Sequence, residues 1–356
     1  MMDHVKILKR ALDISWRYRA LWLFGIILAL TTGGGGSGGG NGGSGSGIPN
    51  GSNNGDFPRF EDFAMPEISA GIITALIAVG VGLACLFLAW VIVATIARYV
   101  AETALIKMVD HHEETGEKRS IRQGFGLGWS LTAWRFFLID LLIGIPLAVA
   151  IIALLAITAL PLLLWVTKSV AAGVLGTIAT IGALFLVILL IIIVSAVVSL
   201  LTHFFRRVCA LEDQGVIESI KQGFNLVKQN FKDVGIMWLL MVGVQIGWMI
   251  VLIPVVFLLL ALGAVSGGLL GLMAGGLTGF IAEGAIPWIV GGAVGLPIFI
   301  LIMAVPLTFV GGLFEVYKSS VWTLTYREVH VLGDLETGPE VEQLPEADAA
   351  KPEEAS

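Results

Sequence analysis

Apolar residues run along this chain in blocks too long for the strands or surface helices of a soluble domain. Six such blocks occupy about residues 20–32, 68–97, 134–160, 174–204, 234–262 and 286–314. All but the first exceed the roughly 18 residues that mark a helix able to cross a bilayer. The first has 13 residues, about 20 Å of helix against a hydrocarbon core of ~30 Å, and Trp16 with snorkelling Arg17 and Arg19 can lengthen it. A basic stretch followed by a short apolar one also has the form of a secretory signal peptide. The lack of a clean Ala-x-Ala site and the repeat described next favour a retained segment. The pattern predicts an all-α, polytopic transmembrane helical bundle of about six crossings.

Before the odd-numbered crossings the pattern becomes amphipathic and repeats. Ser120-Ile121-Arg122-Gln123-Gly124-Phe125-Gly126-Leu127 returns 99 residues later as Ser219-Ile220-Lys221-Gln222-Gly223-Phe224-Asn225-Leu226, and a fainter copy runs from Leu8 to Trp16. Ile220, Phe224, Val227 and Phe231 fall at helical spacing, while Lys221, Gln222, Lys228 and Gln229 lie mostly elsewhere around the helix. That is the pattern of a helix lying in the membrane interface. The repeat divides a transmembrane domain at 1–332 into three amphipathic-helix-plus-hairpin units, about 5–119, 120–218 and 219–332. Two roles are open to the amphipathic elements. They are elbows that set the angle of the next crossing, or surfaces for anionic lipid or a membrane-protein partner, with Lys9, Arg122, Lys221 and Lys228 as candidate contacts.

Charge supplies the orientation. Of 21 Lys and Arg, only Arg59 and Lys168 fall in the loops that alternate with the basic ones, so the positive-inside rule places both termini in the cytoplasm and three loops outside. The chain is 56% apolar and 13% charged, against roughly 45–50% and 25% in soluble domains, which excludes a water-soluble fold. The net charge of −6 belongs to residues 333–356, where eight acids meet one lysine; this reads as a disordered acidic cytoplasmic tail. Cys85 and Cys209 form neither a disulfide framework nor a metal spacing.

The external connections differ in kind. Residues 33–66 open with eleven glycines in fifteen positions, a flexible Gly-rich loop that lacks the Lys-Ser/Thr pair of a phosphate-binding motif. Towards its end Asp56, Glu61, Asp62 and Glu67 make an acidic entry to the second crossing, read as a solvated rim rather than a cation site. The last connection, 263–287, is apolar and carries Gly267, Gly271, Gly275 and Gly279 at four-residue spacing, a candidate helix-packing face. It is expected to be a re-entrant or surface helix packed on the bundle; a homo-oligomer contact and part of a pore are the other readings. Pro161–Ala172, with Trp165 and Lys168, is the equivalent short element of the middle unit.

Asp140 stands inside a crossing, about 9 Å beyond Trp134 on a regular helix. A carboxylate there must be paired, protonated or wetted, so it is read as a proton or cation site, or as the partner of Arg135, Arg98 or another base on that side. Gln245 is the second candidate intramembrane polar group, bonding another helix or touching a solute. Glu102, His203 and Glu315 lie near segment ends, where polar residues need no special reason. His111-His112-Glu113-Glu114 are consecutive, so their donors diverge on a helix and a solvated loop is favoured over a metal site. None of the five histidines has an identifiable nucleophile partner. No catalytic, metal or cofactor site is expected, and no nucleic-acid partner, because the basic residues follow membrane topology.

The Ser-Ile-Arg/Lys-Gln-Gly-Phe-x-Leu element and the opening Trp16-Arg17-Tyr18-Arg19-Ala20-Leu21-Trp22-Leu23-Phe24-Gly25 followed by polyglycine resemble uncharacterised bacterial six-crossing membrane proteins. These are similar to the membrane domain attached to some glycerophosphodiester phosphodiesterases. In that family the soluble domain carries the chemistry, and no such domain is read in this sequence. The resemblance implies a bacterial inner-membrane location and transfers no site residue. Two functions follow as expectations: a non-enzymatic module that organises lipids or partner proteins, or a transporter or channel for a small solute using Asp140.

Overall fold

The computed structural model describes residues 2–32, 70–167, 169–281, 284 and 286–336. Their regular structure is helical: α1 (His4–Arg17), α2 (Ala20–Thr32), α3 (Ala70–Thr115), α4 (Ile121–Gly128), α5 (Leu131–Ala159), a 3-10 stretch (Leu160–Thr167), α6 (Val170–Leu211), α7 (Val216–Gln229), α8 (Phe231–Gly279) and α9 (Ile286–Glu336). The chain is an all-α multi-pass bundle. The helices α3, α5 with its 3-10 continuation, α6, α8 and α9 are long and apolar enough to cross a membrane, and α2 is a shorter apolar helix. With 49 and 51 residues, α8 and α9 run about 75 Å, over twice the hydrocarbon thickness.

The buried core lies at one end. Ala11 and Ile14 of α1, Leu21 and Phe24 of α2, Leu105 and Met108 of α3, Phe204 and Val208 of α6, Met237 of α8, and Val316 and Val329 of α9 form one cluster. Tyr99, Ile106, Phe136, Ile139 and Cys209 form a second beside it. Because α1, α4 and α7 gather there with their lysines and arginines, it is called the basic end below. Away from it the helices show apolar side chains on every side; α3 is exposed at each residue from Ile77 to Val93. Such a surface suits hydrocarbon, not water.

The helix α2 belongs to this core. Leu21 and Phe24 are fully buried, and Gly25 lies so close to α9 that an added Cβ would collide with the Gly312 carbonyl oxygen. On the far side, Trp248 of α8 stacks on Phe314 of α9 and Gly263 lies on Phe299. These contacts set an antiparallel register in which Pro254 and Pro306 fall at nearly the same height. The α5 helix carries Pro146.

Two expectations change here. Residues 263–279 form no separate re-entrant element, because α8 continues through Gly279 and pairs along its length with α9. Nothing in that Gly, Ala and Leu run stops a helix that has a close packing partner. Likewise α9 continues through Glu336, so the first four residues of the expected tail are helical. Residues 337–356, Lys168 and the Gly-rich loop at 33–66 lie outside the described residues. The middle connection is the 3-10 stretch, whose Trp165 indole donates to Thr177 at 3.0 Å.

Candidate functional site

The three amphipathic stretches are the short helices α1, α4 and α7, which precede α2, α5 and α8. Each lies on a different long helix: α1 on α9, α4 on α3 and α7 on α6. A small residue makes the contact. A Cβ added at Gly124 would stand 2.5 Å from Met108 Sδ, one added at Gly223 would stand 2.7 Å from Phe205 Cδ1, and Ala11 in the corresponding place is fully buried. The next residue along is exposed: Leu12, Phe125 and Phe224 are 59%, 39% and 50% exposed, although the Phe125 ring also packs on Phe24. Trp16, Trp129 and Phe231 stand exposed near the ends of the same helices. Thus each short helix meets the bundle through a small residue, with Ile7 and Ile14 of α1 and Val227 of α7 buried on the same side, and leaves apolar surface exposed on the other.

The caps show that the aligned residues do not all do the same work. Ser120 begins α4 in a capping box with Gln123, each side chain taking the other's amide. Ser219 lies one turn inside α7, where its hydroxyl donates to the Gly215 carbonyl, and Gln222 donates to Glu212 at 2.5 Å. Between α1 and α2 the Tyr18 phenol donates to the Arg119 carbonyl at 2.8 Å, and burial pushes its pKa up. Lys9, Arg122, Lys221 and Lys228 are all exposed, and none forms an ion pair among the described residues.

A chamber of about 480 Å³ lies between α2, α3, α5, α6 and α9, with a charged floor towards the basic end. Arg206, only 8% exposed, donates to Glu102 at 2.5 Å and to both oxygens of Asp140 at 2.6 Å. The Tyr99 phenol donates to Asp140 at 2.9 Å, and Lys318 holds Glu315 at 3.0 Å. Arg98 lines the same floor; its Nε is buried with no hydrogen-bond partner among the described residues. The wall rises along Ile143, Leu147 and Ile151 of α5, opposite Ser195, Ser199 and Thr202 of α6. The expected partner of Asp140 is therefore Arg206, while Arg135 donates instead to the carbonyls of Asp213 and Gln214.

Gln245 borders a smaller cavity of about 60 Å³ with Trp238 and Trp322. The two cavities share Ser199, His203 and Lys318, so Asp140 and Gln245 stand on opposite sides of one polar partition. Glu102, His203 and Glu315, read from the sequence as ordinary segment ends, all line the chamber. A signal for them was present. Each of α3, α6 and α9 follows its apolar run with two polar residues three or four positions apart, Arg98 and Glu102, His203 and Arg206, Glu315 and Lys318. Packing brings the three pairs to one level.

The His111–Glu114 run is not the expected loop but the last turn of α3, which continues to Thr115, and there Glu113 accepts from Arg10 at 2.9 Å and Glu114 lies 3.6 Å from Arg327. Among the described residues no group of three His, Cys, Asp or Glu could hold a metal ion. Of the glycine row, Gly267 faces the Gly295 carbonyl, Gly271 that of Gly291 and Gly275 that of Pro287, whereas Gly279 has only a Pro287 ring atom within 4 Å. That face is covered by α9 of the same chain.

A family described as "Family of unknown function (DUF7544)" matches residues 10–338. No curated protein and no solved structure matches the chain.

Proposed function

Because the chain belongs to the DUF7544 family, whose function is unknown, we propose its role from its geometry: a non-enzymatic membrane module that organises lipids or partner proteins through α1, α4 and α7. The supporting observation is that all three helices meet the bundle through a small residue and expose Leu12, Phe224 and one edge of Phe125 beside exposed Lys9, Arg122, Lys221 and Lys228. In this reading the module has six crossings in three repeated units and sits in a bacterial inner membrane. Both termini are cytoplasmic, as the distribution of Lys and Arg favours. The outward apolar residues enter the cytoplasmic leaflet, and each basic residue gains about 1 kcal/mol near anionic lipid.

The test is retention of anionic lipid or of a partner protein on the purified, detergent-solubilised chain. Lys221→Glu with Lys228→Glu is expected to weaken that retention about tenfold or more. Equal retention by the variant would sink the reading.

A second reading, a transporter or channel for a small solute, is favoured by one observation: Asp140 lines a chamber that shares a partition with the Gln245 cavity. It expects Asp140→Asn to abolish flux in proteoliposomes without unfolding the bundle, with protons as the first solute to follow. Unchanged proton flux would remove the proton form of this reading.

A further inference from the structure

We propose that the charged chamber binds one zwitterionic phospholipid of the surrounding membrane, its phosphate on Arg98 and an acyl chain along α5. This goes beyond the outward faces of α1, α4 and α7, and the two can fail separately.

The floor carries three cations, Arg98, Arg206 and Lys318, and three carboxylates, Glu102, Asp140 and Glu315, so it suits an occupant of no net charge. Their pairing is uneven. Glu102 and Asp140 both converge on Arg206, and Glu315 is taken by Lys318. Arg98 is left without an ion pair among the described residues, and its buried Nε has no acceptor there. A guanidinium in that position presents a planar fork of donors, the geometry that a phosphate group completes. The headgroup's ammonium then falls on the carboxylate side of the floor, near Asp140.

The wall supplies the second half of the site. Ile143, Leu147 and Ile151 lie one helical turn apart on α5, and Gly144 and Ala148 beside them form a shallow track. A Cβ added at Gly144 would meet nothing within 4 Å, so the track has room along it. The track leads away from the basic end, where the long helices show apolar side chains on every side, so hydrocarbon reaches it directly. A charged floor with an apolar track above it matches an amphiphile whose head lies at the basic end.

The experiment measures phosphatidylethanolamine bound to the purified full chain by native mass spectrometry in detergent. Arg98→Gln is expected to weaken binding about tenfold or more, the worth of a charge-assisted contact. Gly144→Phe, which fills the track and leaves every floor charge in place, is expected to weaken it as well, with an unchanged unfolding temperature. Lys221→Glu with Lys228→Glu is expected to leave it intact, which separates this site from the interfacial helices. Equal binding by wild type, Arg98→Gln and Gly144→Phe would overturn the proposal. So would diacylglycerol binding as tightly as the phospholipid, or inorganic phosphate displacing it at equal concentration, since the first dispenses with the phosphate and the second with the chain.

Discussion

Replacing Arg206 with methionine is expected to destabilise the bundle by about 3–5 kcal/mol, because it removes one partner of a buried ionic cluster and strands the others. Glu102 is 8% exposed and makes its ion pair with Arg206. Asp140 would keep only the Tyr99 phenol of its present partners. The loss should appear as a lower unfolding temperature in detergent. The same change made together with Glu102→Gln and Asp140→Asn should recover most of the stability, since no carboxylate is then left to strand. A single variant as stable as the wild type would mean that the cluster contributes nothing net. Failure of the triple variant to recover would point to lost packing of the arginine stem.

The second large effect is expected at the crossing of α2 and α9. Gly25→Leu must push these helices apart, because even the first carbon of the new side chain would collide with the Gly312 carbonyl and stand 2.5 Å from the nearest Val316 methyl. Backbone cannot move aside as a flexible side chain can, so the cost should reach about 3 kcal/mol or more, at the upper end for overpacked cores. Gly144→Phe makes the matched control, a larger residue placed where there is space. If Gly25→Leu unfolds at the same temperature as the control, α2 is not a fixed part of the core.

Much of this architecture is legible in the residues themselves. The five long apolar helices follow from apolar length, because a bilayer demands long unbroken runs. The three short helices follow from amphipathic periodicity, and the small-then-large dipeptides Ala11-Leu12, Gly124-Phe125 and Gly223-Phe224 mark which side packs. The floor of the chamber was only partly legible. Asp140 stands out because it interrupts an apolar run, whereas Glu102, His203 and Glu315 look like ordinary helix ends until packing brings α3, α6 and α9 level. The partner of Asp140 was not readable from chain proximity: Arg206 lies 66 residues away. Gly267, Gly271 and Gly275 announce close packing, but their spacing is the same whether the partner is α9, a second copy or a pore wall.

The paired prolines give the α8–α9 hairpin a mechanical property. From Val242 to Gly279 the α8 arm runs about 57 Å, against ~30 Å of hydrocarbon, so it must lean or bend to keep its apolar surface out of water. Pro254 and Pro306 each remove a rung of the hydrogen-bond ladder at nearly one height. Both helices run unbroken through these positions, so the two missing rungs are the points at which bending is expected to cost least. Reconstitution in bilayers of different thickness is therefore expected to change the tilt of the two arms together, beyond the level of Pro254 and Pro306.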